Sequence, residues 1–271
     1  MRYCILDPTG NITALVEDHV EVERQPQVAL EIMKAHPEVE QVGFVHEAEA
    51  EGVHVSLRMA GGEFCGNATM SAAALFALNH GLDGSTRVLV RASGARDVVE
   101  VKLQKDDNGG FYASVRMPQP REIRTLRLYH GKLADDLDVV FFDGISHVVI
   151  GDDSPLFCLR SDMTAAESTV RAWCEALGAD GLGLMFLEHN ASDDFVLTPL
   201  VYVPGSNTVF WENSCASGSA AVGMCVASVT DSHCDVVLRE PGGTLRVTSD
   251  PHSGETWLFG HVRKRKTITL D

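Results

Sequence analysis

The stretch Gly61–Ala74 reads GGEFCGNATMSAAA, and Trp211–Gly223 reads WENSCASGSAAVG. In both, a cysteine (Cys65, Cys215) is followed at once by small and polar residues and then by an alanine-rich run. The first run predicts a helix to about His80, with Gly81 suited to end it. The second predicts a matching helix after Cys215. The elements around the two cysteines come in the same order. In the first half, RYCILDP and NITALVE flank a PTGN turn, and residues 25–35 have apolar positions at helical spacing. QVGFVHEA and GVHVSLRMA then read as strands before the helix, and TRVLVRAS, DVVEVKL and FYASVRM as strands after it. In the second half, strands at 124–130, DVVFFD and HVVIG precede a helix at 163–178, for which Thr164 is the expected N-cap with Glu167 three residues on. GLMFLE, FVLTPLVYV and TVFWE lead to Cys215, and CDVVLRE, TLRVTS and TWLFGHV close the half. MPQP at 117–120 breaks the pattern as a linker. This repetition lies in pattern rather than identity. It predicts two similar α+β domains, 1–120 and 121–260, each presenting one cysteine at a helix start, with a ligand between them.

Composition bounds the function. The chain has 271 residues and is 45% hydrophobic, enough for a sizeable core. With 22 basic and 38 acidic residues its formal charge is −16, which disfavours nucleic acid and anionic membranes as partners. No apolar run approaches a membrane span, and MRYCILDPTGN has no basic segment leading into an apolar run. Seven cysteines, an odd number without CxxC pairs, read as reduced thiols of a cytoplasmic protein rather than a disulfide framework. No Cys/His cluster has zinc spacing, and none of the six lysines sits in a glycine-rich phosphate cup. The expectation is therefore of no metal and no cofactor, pyridoxal phosphate included.

A helix N-terminus carries free N–H groups and a partial positive charge. A cysteine there is expected to lose its proton more easily, and the same N–H groups can hold a carboxylate. Gly66, Ala68, Ala216, Ser217 and Gly218 are small enough for a ligand to approach the backbone. Two such helix starts facing each other would put a thiol on each side of the carbon next to a bound carboxylate. One thiolate would remove the α-proton and the other thiol would return a proton to the opposite face. The other five cysteines read as small buried hydrophobes.

At these residues the chain resembles the diaminopimelate epimerase and proline racemase superfamily. FCGNAT (64–69) and SCASGSA (214–220) resemble its two cysteine motifs, and PTGNITAL (8–15), EQVGFV (40–45), GISHVVI (144–150) and PGGTLRV (241–247) its other motifs, in order and over essentially the full length. The resemblance implies two duplicated domains, each a mostly antiparallel sheet wrapped round a central helix, with the first completed by about 261–271. It implies a homodimer, cofactor-independent proton transfer by Cys65 and Cys215, and substrate contacts from Asn11 and Gln41. Glu212 reads either as a contact for the α-amino group or as a structural ion pair. Asn67 reads as a backbone donor to the carboxylate or as a helix cap, and Asn11 as a substrate contact or a turn residue. His147 reads first as a structural histidine, and Glu63 as a support near the helix start. The phenazine-pathway isomerases show a pattern similar to that around Glu63, but they lack the second cysteine.

The departures bear on the substrate. Diaminopimelate epimerases follow the glutamate of this motif with an arginine, where this chain has Asn213; two of their asparagines fall at Met59 and Ile145. A second substrate carboxylate would lack a bidentate partner and be costly to bury. FCGNATMS, WENSC, GNITAL and PGGTLRVTS more closely resemble the histidine racemases. The resemblance thus implies a racemase that interconverts L- and D-histidine. A neutral ring would sit in a pocket of residues such as Met59, Ile145, His147 and Asn213, its N–H accepted by Glu40 or Gln41. The alternatives are a diaminopimelate epimerase, a racemase of another amino acid on the same fold, and a non-catalytic amino-acid-binding or thiol redox-sensing protein.

Overall fold

The computed structural model describes residues 1–48, 50–191 and 194–269. The first half runs β1 (Arg2–Pro8), β2 (Thr13–Val16), α1 (Gln25–Ala35), β3 (Gln41–Glu47), β4 (Val55–Met59), α2 (Gly66–Asn79), β5 (Ser85–Ala92), β6 (Val99–Lys105) and β7 (Phe111–Arg116). The second runs β8 (Glu122–His130), β9 (Leu133–Phe141), β10 (Ser146–Gly151), α3 (Met163–Leu177), β11 (Leu182–Ala191), β12 (Asp194–Val203), β13 (Thr208–Trp211), α4 (Ala216–Thr230), β14 (Cys234–Glu240), β15 (Gly243–Ser249) and β16 (Thr256–Thr269). The fold is mixed α+β and dominated by sheet.

All sixteen strands among the described residues join one sheet, in the order β1 to β7, then β16, β15, β14, β12, β11, β10, β9, β8, with β13 paired to β12. Most neighbours are antiparallel. The parallel pairs are β2 with β3, β4 with β5, β10 with β11, and β12 with β14. Each of these spans a helical crossover, as parallel neighbours require. The long last strand changes partner along its length. Trp257–Val262 pair with β7, and Val262–Thr269 pair with β1. Strands β1 to β7 and β16 therefore close into a barrel, which removes their free edges. Residues 270 and 271, the end of the stretch expected to complete the first domain, lie outside the described residues.

The helices divide by composition. α1 and α3 are amphipathic and lie on the outside. α1 buries Val28, Ala29 and Ile32; α3 buries Ala166, Val170, Trp173 and Cys174. α2 and α4 are apolar all round, as fully buried helices must be, and nearly every residue of Gly66–Leu75 and Ala216–Cys225 is buried. Their alanines and glycines let strands pack close: a β-carbon on Gly223 would stand 2.4 Å from Val247. α2 packs against β1, β2, β4 to β7 and β16; α4 packs against β9 to β11 and β14 to β16. One correction concerns α3. Its N-cap is Asp162, whose carboxylate accepts the Ala165 N–H at 3.0 Å, so Thr164 falls inside the first turn. An anionic cap suits the positive helix end better than a hydroxyl.

Candidate active site

Cys65 and Cys215 are the N-cap residues of α2 and α4, both in extended backbone conformation. The two helices start against each other. A β-carbon on Gly66 would lie 2.8 Å from Cβ of Ala216, so glycine is needed for this approach. Between the starts lies a narrow cavity lined by Asn11, Gln41, Glu63, Phe64, Cys65, Asn67, Ile145, Val201, Val203, Glu212, Cys215, Ala216 and Ser217. Its open volume, about 30 Å³, is that of roughly one water molecule. A second cavity adjoins it, sharing Gln41, Glu63, Val201, Val203 and Glu212 and adding Glu40, Ala60 and Phe210. Among the described residues, no lysine or arginine lines either cavity.

The first cysteine sits on an amide network. Its Sγ donates to Gln41 Oε1 at 3.0 Å and accepts the Ala68 N–H at 3.4 Å. Gln41 Nε2 donates to Asn11 Oδ1 at 2.5 Å and to Thr13 Oγ1 at 2.7 Å. Asn67 crosses between the halves, its Nδ2 donating to the carbonyl and the hydroxyl of Ser214, each at 3.1 Å. Its Oδ1 is buried without a partner. The PTGN turn is held by Asp7, whose Oδ1 accepts the Gly10 N–H at 2.7 Å while Arg265 reaches Oδ2 at 2.8 Å. Gly10 has φ of 90° and lies against Gly242, where a β-carbon on Gly10 would meet backbone at 2.4 Å.

The second cysteine sits among carboxylates. Glu240, at the end of β14, accepts the Cys215 N–H at 2.6 Å and the Ser219 hydroxyl at 2.5 Å. Glu212 takes the Cys215 thiol as a hydrogen-bond donor. Ser217 Oγ lies 3.8 Å from Cys215 Sγ and 2.8 Å from His147 Nε2. His147 is fully buried, behind Ser217, with Nδ1 unpartnered. Burial pushes its pKa down to about 3, so the ring is neutral at pH 7.

The thiols differ from the expectation of a lowered pKa. Burial pushes Cys65 up to about 12; the Ala68 N–H and Gln41 act the other way, and the charges of Glu212 and Glu63 add to the rise. Cys215 is raised well above its ordinary value, first by burial and then by Glu212 and Glu240. The helix ends do favour thiolate, but desolvation and neighbouring carboxylates outweigh them. The carboxyls are raised too, again mainly by burial: Glu240 to about 8, Glu212 well above the usual range, Glu40 and Glu63 upward.

Of the residues singled out in the sequence, Asn11, Gln41, Cys65, Asn67, Ile145, Glu212, Cys215, Ala216 and Ser217 line the inner cavity, as does Glu63, read there as a support near the helix start, and Gly66 forms the helix contact. Glu40 lines the outer one, accepting Asn11 Nδ2 at 2.6 Å and the Asn213 N–H at 3.2 Å. The Asn213 side chain also donates to Glu40. Met59 lines neither cavity. It is buried in the core, with its backbone N–H bonded to Ser93. Sequence reasoning missed Glu240, Ser214, Val201 and Val203. Glu240 directly precedes the PGG of 241–243, yet only the packing of β14 beside α4 brings it to Cys215. Among the described residues no group of three or more His, Cys, Asp or Glu could hold a metal ion, and no helix is long and apolar enough to cross a membrane.

Comparison with known proteins places this geometry in context. A family model described as "Histidine racemase CntK N-terminal domain" matches residues 1–259. A histidine racemase of Staphylococcus aureus (strain Mu50 / ATCC 700699) is 29% identical over 247 residues, 90% of this chain and 86% of that one. A histidine racemase of Fusobacterium nucleatum subsp. nucleatum (strain ATCC 23726 / VPI 4351) is 30% identical over 225 residues, 80% of this chain and 78% of that one. Among solved structures, a probable proline racemase from Agrobacterium radiobacter K84 superposes with a TM-score of 0.71 at 11% identity, covering 100% of this chain and 92% of that one. A predicted epimerase from Pseudomonas aeruginosa does so with a TM-score of 0.68 at 14% identity, covering 99% and 98%. At such identities the structural likeness speaks to the fold.

Proposed function

The chain belongs to the histidine racemase family, and we propose that it is an isomerase interconverting L- and D-histidine through Cys65 and Cys215. The observation that carries the mechanism is the pairing of two cysteine-capped helix starts across one cavity. The substrate carboxylate lies on the first-turn N–H groups of both helices, those of Gly66, Asn67, Ala216 and Ser217, which have no partner inside their helices. The α-carbon then stands between the sulfurs. A thiolate at one takes the α-proton, the electron pair passes toward the carboxylate, and the thiol at the other delivers its proton to the opposite face. The first sulfur ends as thiol and the second as thiolate, so the reverse reaction starts from the product state. Glu212 receives the α-ammonium group. That positive charge offsets the carboxylates that hold the thiols protonated, so substrate binding itself promotes the thiolate. The absence of arginine and lysine from both cavity walls favours histidine over a substrate with a second carboxylate.

The same reading extends to the architecture. The series of pairing senses from β2 to β7 recurs from β10 to β16, with α1 matched by α3 and α2 by α4. We read this as an internal duplication: a first domain of 1–120 and a second of 121–260, each sheet wrapped round its cysteine-led helix, with the second part of β16 completing the first. The cavity is too small for an amino acid as it stands, so the halves must part for substrate to enter. The enzyme works in the cytoplasm as a homodimer on a free amino acid and needs no cofactor.

The test is proton exchange in heavy water. Histidine should gain α-deuterium and lose optical rotation together. Cys65→Ser and Cys215→Ser should each abolish racemisation. Full racemisation surviving in either variant overturns the two-thiol mechanism.

A further inference from the structure

Four carboxyl groups border the two cavities or back the helix starts, and three of them are committed. Glu40 accepts from Asn11 and Asn213. Glu240 accepts from Cys215 and Ser219. Glu212 takes the Cys215 thiol. Glu63 is engaged only in part: the backbone N–H groups of Glu63 and Gly61 favour its carboxylate, yet its Oε2 is buried and has no hydrogen-bond partner. A buried carboxylate oxygen without a donor is costly, and this one lines both the inner and the outer cavity. The carboxylate packs against the backbone of Gly61: a β-carbon there would stand 2.5 Å from Oε2 and 2.7 Å from Val203. Burial raises the pKa of this carboxyl overall, and the backbone N–H groups of Glu63 and Gly61 and the charge of Arg58, on the preceding strand, oppose that rise.

Gln41, Glu63, Val201, Val203 and Glu212 line both cavities, so a side chain that extends from the inner cavity into the outer one passes Val201, Val203 and Glu63. Two valines provide an apolar wall for a flat ring. The open oxygen of Glu63 provides what the ring N–H lacks.

We propose that Glu63 determines the side-chain specificity, accepting a hydrogen bond from the imidazole N–H of histidine while the ring lies against Val201 and Val203. This assignment rests on the histidine reading above. It moves the role of ring acceptor from Glu40 and Gln41, whose polar atoms are engaged, to a buried carboxylate oxygen that has no partner.

Binding measurements on the whole enzyme test it, with histidine and with 2-thienylalanine, whose five-membered ring has no N–H. The wild type should bind histidine at least about tenfold more tightly, the worth of one hydrogen bond to a buried charged group. In Glu63→Leu that preference should collapse to within about threefold, with 2-thienylalanine affinity retained. An unchanged preference overturns the proposal. Should the variant fail to fold, histidines methylated on one or the other ring nitrogen settle the matter in the wild type. Methylation of the donating nitrogen should cost at least about tenfold, and equal binding of histidine, both methylhistidines and 2-thienylalanine overturns the proposal. Failure of the histidine reading shows separately, as absence of α-deuterium exchange into histidine by the wild type. A wild type that exchanges histidine but ignores its ring N–H sinks only the role of Glu63.

Discussion

Gly66 and Ala216 open the two buried helices face to face, with no room for a β-carbon on Gly66: it would stand 2.8 Å from that of Ala216. Cβ atoms in folded proteins do not approach so closely, so a side chain here must push the helix starts apart. Gly66→Ala should lower kcat/KM by about 10²-fold, because misplacement by an ångström is enough to cost that much. Overpacking should cost about 1–3 kcal/mol of stability. Racemisation assays with urea unfolding check both, and wild-type activity in a folded Gly66→Ala would show that the contact is dispensable.

Both thiols are held in the neutral form by burial and by nearby carboxylates. Alkylation of Cys65 by iodoacetamide, followed by mass spectrometry, should therefore stay slow through pH 8.5, where an unstructured cysteine peptide is about half ionised. The rate should still be climbing at the highest pH the fold tolerates. A plateau near or below pH 8.5 would mean that the helix N-terminus outweighs desolvation after all.

Glu240 gives the stability a pH signature. Its pKa is raised from 4.5 to about 8 by burial. Between those values the folded protein binds more protons than the unfolded chain, so this group's stabilisation is full below about pH 4.5 and falls as pH rises to 8. Glu240→Gln removes the titration but keeps the shape. The difference in unfolding free energy, variant minus wild type, should grow by about 1 kcal/mol or more from pH 5 to pH 8. Parallel stability curves for the two proteins would contradict this.

Asp7 ties the PTGN turn to the last strand through Gly10 and Arg265. Asp7→Asn keeps an acceptor for the Gly10 N–H but loses the charge. The expected result is a loss of about 1–2 kcal/mol, that of a charge-assisted hydrogen bond. A several-fold rise in KM should accompany it as Asn11 loses its fixed position. An unchanged KM would detach the turn from substrate binding.

Much of this was legible along the chain. The two cysteine-led alanine runs and the order of strands around them are local signals, carried by residue type and spacing, and they sufficed to expect a mixed α+β fold and to pair Cys65 with Cys215. Asn11, Gln41 and Glu212 joined them through the resemblance of the motifs that carry them. Residue type also carries the absence of an arginine at 213, which bears on the substrate. Other features depend on distances between residues far apart in the chain, which no local pattern encodes. Glu240 reaches Cys215 across 25 residues because β14 packs beside α4. Asn67 spans 147 residues to Ser214 because the helix starts meet. Met59, matched by motif to a pocket, turned into the core, since a strand end can point either way. The thiols, expected to be acidic from their place at helix ends, are held neutral because the closed site removes water and gathers carboxylates around them. Desolvation and long-range charge depend on what surrounds a group in three dimensions, and that environment exists only once the two halves have closed on each other.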